Sequence, residues 1–275
     1  MNRDDPIIVL GTAGTGTRVF SNLLESAGVF MGLRRNPQRD NRDFIRVVKD
    51  GIPLLDHHAP LADSFLRQAG CPDFEISRLE AGMAQQADQC VSRFKSVITG
   101  DLLSTHQRWG WKESQSMFVL PFLKRHFPRL RIVHVVRDGR DIAFSKQQRA
   151  PFQAAYVRCL ANLERPPLND DDWAVMVAKT WQINNEAVAQ WAALNLDPGQ
   201  YFLARLEHLK EDPVAFTERF FELMDLDVQV SEQLIEAADF DPDSLRLEKY
   251  KTKDPEIIEK IEAVSAEALG RFGYL

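Results

Sequence analysis

Cysteine is scarce: Cys71, Cys90 and Cys159 are the only three in 275 residues. An odd number at wide spacing excludes a disulfide framework, and the lack of any Cys-x-x-Cys pair excludes a zinc ribbon. The six histidines fall at no metal-ligating spacing, so no metal site is expected. Nowhere does an apolar run approach the roughly 20 residues that span a bilayer. The N-terminus passes directly into a strand-like run and a glycine turn, without the charged, apolar and small-residue order of a secretory signal. A reducing cytoplasm with no membrane attachment is the expected setting. Positive charge is not in excess: 34 Lys and Arg face 40 Asp and Glu, for a formal charge of −6. That balance argues against nucleic acid as a partner while leaving room for a local basic cleft. Internal repeats, low-complexity tracts and clear linkers are also lacking, which excludes fibrous and coiled-coil architectures.

What is present is an ordinary globular composition, 44% hydrophobic and 27% charged, in a chain long enough to bury a large core. Pro6 to Leu10 is a short Ile- and Val-rich run suited to a buried parallel strand. Gly11 to Gly16 reads as a turn. Val19, Phe20, Leu23, Leu24 and Ala27 then recur at helical spacing, with Gly28 placed to end the helix. Arg131 to Val136 and Tyr201 to Arg205 are further strands, the first leading to a helix from about Arg140. Phe74 to Ile98 has a helical period. Asp170 to Leu196 reads as a long helix whose acidic opening complements its dipole. Asp212-Pro213 and Asp254-Pro255 each read as a cap followed by proline at the first helical position. The long polar or Pro-rich segments Leu33 to Asp43 and Lys146 to Asp172 have the length of functional loops. Together these predict one α/β domain over residues 1–275, with a central, mostly parallel sheet and helices on both faces.

Two motifs carry chemistry. In Gly11-Thr-Ala-Gly-Thr-Gly16-Thr17-Arg18, three glycines sit between a strand and a helix, where backbone N–H groups and the helix dipole converge on an anion. The spacing of Gly11 and Gly16 is that of a P-loop. However, Thr17 stands where the P-loop has Lys, and Arg18 where it has the Mg²⁺-binding Ser or Thr. That departure counts against a small-molecule kinase. The second motif is Arg137 at the carboxyl end of a strand, with Ser145 about two helical turns later. Ligands collect at such strand ends, and this pair is suited to a phosphate. Arg137 is equally open to a salt bridge with Asp138 or Asp141.

Taken together, the motifs resemble the sulfotransferases that use 3′-phosphoadenosine 5′-phosphosulfate (PAPS). Val136-Arg-Asp-Gly-Arg-Asp-Ile-Ala-Phe-Ser145 matches that family's R-D-x-R-D-x-x-x-S pattern. Trp109-Gly-Trp-Lys112-Glu resembles its lysine-bearing segment, and Ala204-Arg-Leu-Glu-His-Leu-Lys-Glu-Asp-Pro213 its R-Y-E-D-L-x-x-D-P element. The ending Phe272-Gly-Tyr274 is similar to that of bacterial members, so the resemblance runs from Pro6 to Leu275. It implies a P-loop-like sulfotransferase fold and transfer of a sulfuryl group from PAPS to a hydroxyl or amine, giving PAP, with no metal required. It further implies that Ala13, Gly14, Thr15, Gly16, Thr17 and Arg18 hold the 5′-phosphosulfate, while Arg137 and Ser145 bind the 3′-phosphate. Lys112 would contact the transferring group. One departure matters: the family loop commonly has Lys or Arg where this chain has Gly14, so Arg18 is the alternative cation. Gly14 is also what a catalytically decayed nucleotide-binding protein would show.

The acceptor, a small molecule or carbohydrate, needs a general base. Glu113, next to Lys112, is one candidate. Asp40 and Asp43, in the loop after the first helix, are others, as are His57, His58 and His106. Arg34, Arg35, Arg39 and Arg42 form a cluster that is either a solvated face or a site for an acidic acceptor. Lys249, Lys251 and Lys253 stand where the family often closes a basic loop over the 3′-phosphate. Trp173, Val177, Trp181 and Val188 make a helical stripe typical of core packing. Trp109 and Trp111 are open to either core packing or stacking on a ligand ring.

Overall fold

The computed structural model describes residues 6–32, 35–42, 44, 108–149 and 169–275. The predicted helix over Phe74 to Ile98 and all three cysteines lie outside them. Four short strands, β1 (Ile7–Leu10), β2 (Gly110–Lys112), β3 (Arg131–Val136) and β4 (Tyr201–Arg205), form one sheet in the order β2-β1-β3-β4. All the pairings are parallel, with Ile8 opposite both Trp111 and Ile132, and Val133 opposite Phe202. Parallel neighbours require crossovers, so both faces of the sheet are covered. β1 is buried along its whole length, as its unbroken apolar run predicts.

Alternation along the strands sorts the side chains into two cores. Ile7, Val9, Val133 and Val135 pack with Phe20, Leu23 and Leu24 of α1 (Thr17–Ser26) and Phe220 and Phe221 of a later helix. Ile8, Leu10 and Ile132 pack on the opposite face with Trp109, Trp111, Phe127, Ile183 and Val188. α2 (Leu120–His126) and α3 (Gly139–Ala143) flank β3 in the chain. The long α4 (Asp170–Asn195) then crosses the second face. Asn169 caps α4 by accepting from the Asp172 N–H at 2.8 Å. The stripe Trp173, Val177, Trp181 and Val188 is buried, as core packing requires. After β4 come α5 (Leu206–Glu211), α6 (Pro213–Leu223), α7 (Glu232–Ala237) and α8 (Pro255–Arg271). Asp212 and Asp254 cap α6 and α8, each before its proline. Trp181 also accounts for Gly139: a Cβ there would stand 2.6 Å from the indole.

A titratable side chain lies in the middle of β3. His134 is fully buried in β3, its Nδ1 2.8 Å from the Tyr201 hydroxyl and its Nε2 2.9 Å from Asn185 Oδ1. Asn185 donates its own amide to the Trp181 carbonyl, so its oxygen faces the ring. His134 therefore carries its proton on Nε2 and accepts from Tyr201 at Nδ1. Burial, only partly offset by the bond to Asn185, lowers its pKa to about 4. Below pH 6.5 the unfolded chain takes up a proton that the native imidazole refuses until about pH 4. This group alone is thus expected to remove about 3 kcal/mol of stability between pH 7 and pH 4. Urea unfolding at both pH values should show that loss in the wild type and a smaller one in His134→Gln; equal losses would contradict it.

Candidate active site

The carboxyl ends of β1, β2 and β3 deliver the predicted residues to one edge of the sheet. From β1 the chain enters the loop Gly11–Gly16. Thr15 closes it, its hydroxyl donating to the Thr12 carbonyl at 2.8 Å. Gly16 caps α1 with φ +90°, no side chain answers the first N–H groups of the helix, and its first turn holds no acidic residue. The first turn is thus left open to an anion. The Thr12 hydroxyl is buried with no hydrogen-bond partner among the described residues.

Gly14 has φ +93°, and a Cβ added there would lie 2.9 Å from Ser145 Oγ. This contact brings the two sequence motifs together, with Ser145 beside residue 14. Behind them Gln148, almost wholly buried, donates to the Ala13 carbonyl at 2.7 Å and fastens the loop to the turn after α3. Sequence reasoning missed Gln148, which carries no motif signal. Arg18, the alternative cation, is exposed on α1 and bonds to none of the described residues.

Lys112 ends β2 and is 5% exposed. Its ammonium donates to the Asp40 carboxylate and, at 3.2 Å, to the Gln38 carbonyl. Asn36 holds Asp40 from both sides, accepting from its N–H and donating to Oδ2, each at 2.8 Å. Asp40 is therefore built against Lys112. Glu113 is buried with a scaffold role, its Oε1 accepting from the Gln115 N–H at 3.1 Å to cap a 3₁₀ turn. Asp43, His57, His58 and His106 lie outside the described residues, as does Arg34. Arg35 and Arg39 both pair with Glu25, the second at 3.6 Å, so these two do not make a free basic patch. Trp109 and Trp111 are core residues: Phe44 stacks on Trp111 at 3.6 Å.

Arg137, at the end of β3, uses one nitrogen twice: Nη2 donates to Asp141 at 2.6 Å and to the Arg246 carbonyl at 2.7 Å. The sequence-level salt bridge to Asp141 thus forms, while Asp138 pairs elsewhere. Among the described residues the buried Arg137 Nε has no partner, and neither has Nη1. Three N–H hydrogens of this guanidinium therefore remain to be satisfied. The segment 245–253 passes over this point. Within it Lys251 pairs with Glu248 at 2.6 Å and Lys253 lies 5.0 Å over the Phe144 ring. Lys249 is exposed.

Arg140 anchors the surroundings. It grips Asp138 through Nε and Nη2, Glu262 at 2.7 Å and the Tyr274 carbonyl at 2.8 Å, and lies 4.2 Å from the Tyr250 ring. Burial opposes its charge, yet the bonds from Asp138 and Glu262 outweigh that and raise its pKa further. Glu207 ties in the other side, accepting from the Asp138 N–H and the Tyr274 hydroxyl, both at 3.0 Å.

A sequence model of the sulfotransferase family matches residues 6–230. The chain belongs to the sulfotransferase family. No curated protein sequence matches it significantly. The sulfotransferase domain from the curacin biosynthetic pathway is similar in fold, with a TM-score of 0.55 at 12% identity over 96% of this chain and 97% of that one. A sulfotransferase from Alicyclobacillus acidocaldarius gives 0.52 at 13% identity, covering 99% and 95%. STF9 from Mycobacterium avium gives 0.50 at 15% identity, covering 97% and 76%. These likenesses establish the P-loop-like sulfotransferase fold. No helix among the described residues is long and apolar enough to cross a membrane.

The Gly14–Ser145 contact is directly testable. Gly14→Ala places a Cβ in left-handed backbone, which costs about 1–2 kcal/mol, and against Ser145 Oγ. Thermal unfolding should show Gly14→Ala destabilised and the Gly14→Ala/Ser145→Ala pair partly restored. No restoration would mean that the two side-chain positions do not meet.

Proposed function

We propose that this sulfotransferase uses PAPS as its donor and an acceptor bearing a hydroxyl or amine, and releases PAP. The observation that carries the reading is Arg137, whose buried Nε has no partner among the described residues and which stands on the same edge of the sheet as a glycine loop that meets Ser145. A buried donor left unsatisfied costs about 1–3 kcal/mol, and a 3′-phosphate oxygen would answer it. The open first turn of α1 and the N–H groups of Thr15, Gly16 and Thr17 suit the 5′-phosphate end. These residues fit the donor. PAPS, when bound, supplies the sulfuryl group.

The remaining work belongs to the chain. Arg137 and Ser145 select a nucleotide with a 3′-phosphate. Lys112 offers its charge to the equatorial oxygens of the transferring group, as in other in-line transfers where positioning and electrostatics dominate. Asp40 takes the acceptor's proton. As it does so its hold on Lys112 weakens, and the ammonium charge becomes available when negative charge develops on the transferring group. Asn36 keeps Asp40 in place throughout. No metal is needed in this scheme, and the compartment in which it operates is the cytoplasm.

Calorimetric titration of PAP and 5′-AMP tests the donor. A hydrogen bond to a charged group contributes about 1.5–3 kcal/mol, so the wild type should prefer PAP by roughly 10- to 150-fold. Arg137→Ala should abolish most of that preference and leave AMP binding unchanged; equal wild-type affinities would contradict a PAPS site. For the chemistry, Lys112→Ala and Asp40→Asn should each lower kcat by about 100-fold or more, with PAP affinity retained. Folded variants with wild-type kcat would remove both residues from the mechanism.

A further inference from the structure

Asp141 is nearly inaccessible, its side chain 1% exposed. A carboxylate buried this deeply needs partners for both oxygens. It finds them on different parts of the chain. Oδ2 accepts from Arg137 Nη2 at 2.6 Å, and Oδ1 accepts from the backbone N–H of Tyr250 at 3.1 Å. Tyr250 belongs to the segment that crosses Arg137, and Leu245 and Leu247 of that segment rest against the core around Phe20 and Phe220. Lys210 donates to the Leu245 carbonyl at 2.8 Å, Arg137 itself donates to the Arg246 carbonyl, and the Tyr250 ring rests 4.2 Å from the Arg140 guanidinium. Glu248, in its middle, takes the left-handed conformation with φ +59°. Two polar attachments of this strap, at Arg246 and at Tyr250, therefore run through Arg137 and Asp141.

We infer that Asp141 is a positioning residue that joins two events, the orientation of Arg137 toward the donor's 3′-phosphate and the docking of the strap 245–250 over it. The inference rests on the donor reading above. Both hydrogens of Arg137 Nη2 are taken by Asp141 and by the strap's Arg246 carbonyl, which fixes the guanidinium plane. In the planar fork Nε–H runs parallel to one Nη2–H and an Nη1–H to the other, so each offers a donor beside one of these acceptors. A phosphate oxygen that accepts from one of them holds the guanidinium in place, and the guanidinium holds Arg246 and, through Asp141, Tyr250. Strap and ligand thus stabilise one another by linkage.

Asp141→Asn separates the two arms. An asparagine oxygen still accepts from the Tyr250 N–H, while its amide turns a donor toward Arg137 Nη2 and loses the charge that orients it. Calorimetry with PAP and 5′-AMP should show the PAP preference reduced about tenfold or more, with AMP affinity unchanged. A structural defect would weaken both ligands by one factor, and that result would overturn the inference, as would unchanged PAP affinity. Hydrogen exchange at the Tyr250 amide of the wild type supplies an independent reading where the variant fails to fold. PAP should slow it at least tenfold, and AMP much less; no difference between the two ligands would overturn strap docking. If the wild type does not distinguish PAP from AMP at all, the donor reading itself fails. If it does, and only the Asp141→Asn or exchange result is negative, the failure belongs to Asp141 alone.

Discussion

A buried guanidinium must find acceptors for its hydrogens, and Arg140 finds its own in distant pieces of chain. Asp138 lies just before it, Glu262 is on α8 and the Tyr274 carbonyl is at the C-terminus. Removing one partner of such a pair commonly costs about 3–5 kcal/mol, because the other charge is left uncompensated. The segments are thus bound to one another around β3 and α3, and Glu207 repeats the device from α5 by joining Asp138 to Tyr274. Arg137, three residues earlier, contrasts with this. Its neighbours use one of its nitrogens and leave the buried Nε unanswered. Stability comes from the satisfied arginine, and ligand recognition is what we propose for the unsatisfied one.

The same division appears at the end of β2. Lys112 and Asp40 neutralise each other in a nearly enclosed setting, with Asn36 and the Gln38 carbonyl completing the contacts. A pair of this kind contributes little net stability relative to apolar side chains of equal size. Its retention at a sheet edge where ligands collect fits chemistry better than folding. Gly14 stands beside Ser145 in left-handed backbone, so the loop meets the second motif through bare backbone.

Much of this was legible in the residues. The buried run at β1, the glycine turn, the caps at Asp212 and Asp254 and the stripe on α4 each follow from a local pattern and stand where that pattern puts them. β2 was not legible as an element, since three residues are too few to show alternation. The partners of the charged residues were also hidden, because they are set by contacts between distant segments. Arg137 reaches the Arg246 carbonyl across 109 positions, and Gln148 reaches the Ala13 carbonyl across 135. Backbone acceptors carry no sequence signature. Glu113 stood out by adjacency to Lys112, whereas the bond by which its Oε1 caps the following 3₁₀ turn had no signal in the sequence.

The central claim is that the unanswered hydrogens of Arg137 and the Ser145 hydroxyl hold a 3′-phosphate while the loop Gly11–Gly16 holds the 5′ end. A crystal structure of the complex with PAP tests this most directly. The account requires 3′-phosphate oxygens about 3 Å from Arg137 Nε or Nη1 and from Ser145 Oγ, with the 5′-phosphate on the N–H groups of Thr15 to Thr17. PAP bound in the opposite sense, or elsewhere with Arg137 Nε still unpartnered, would contradict it.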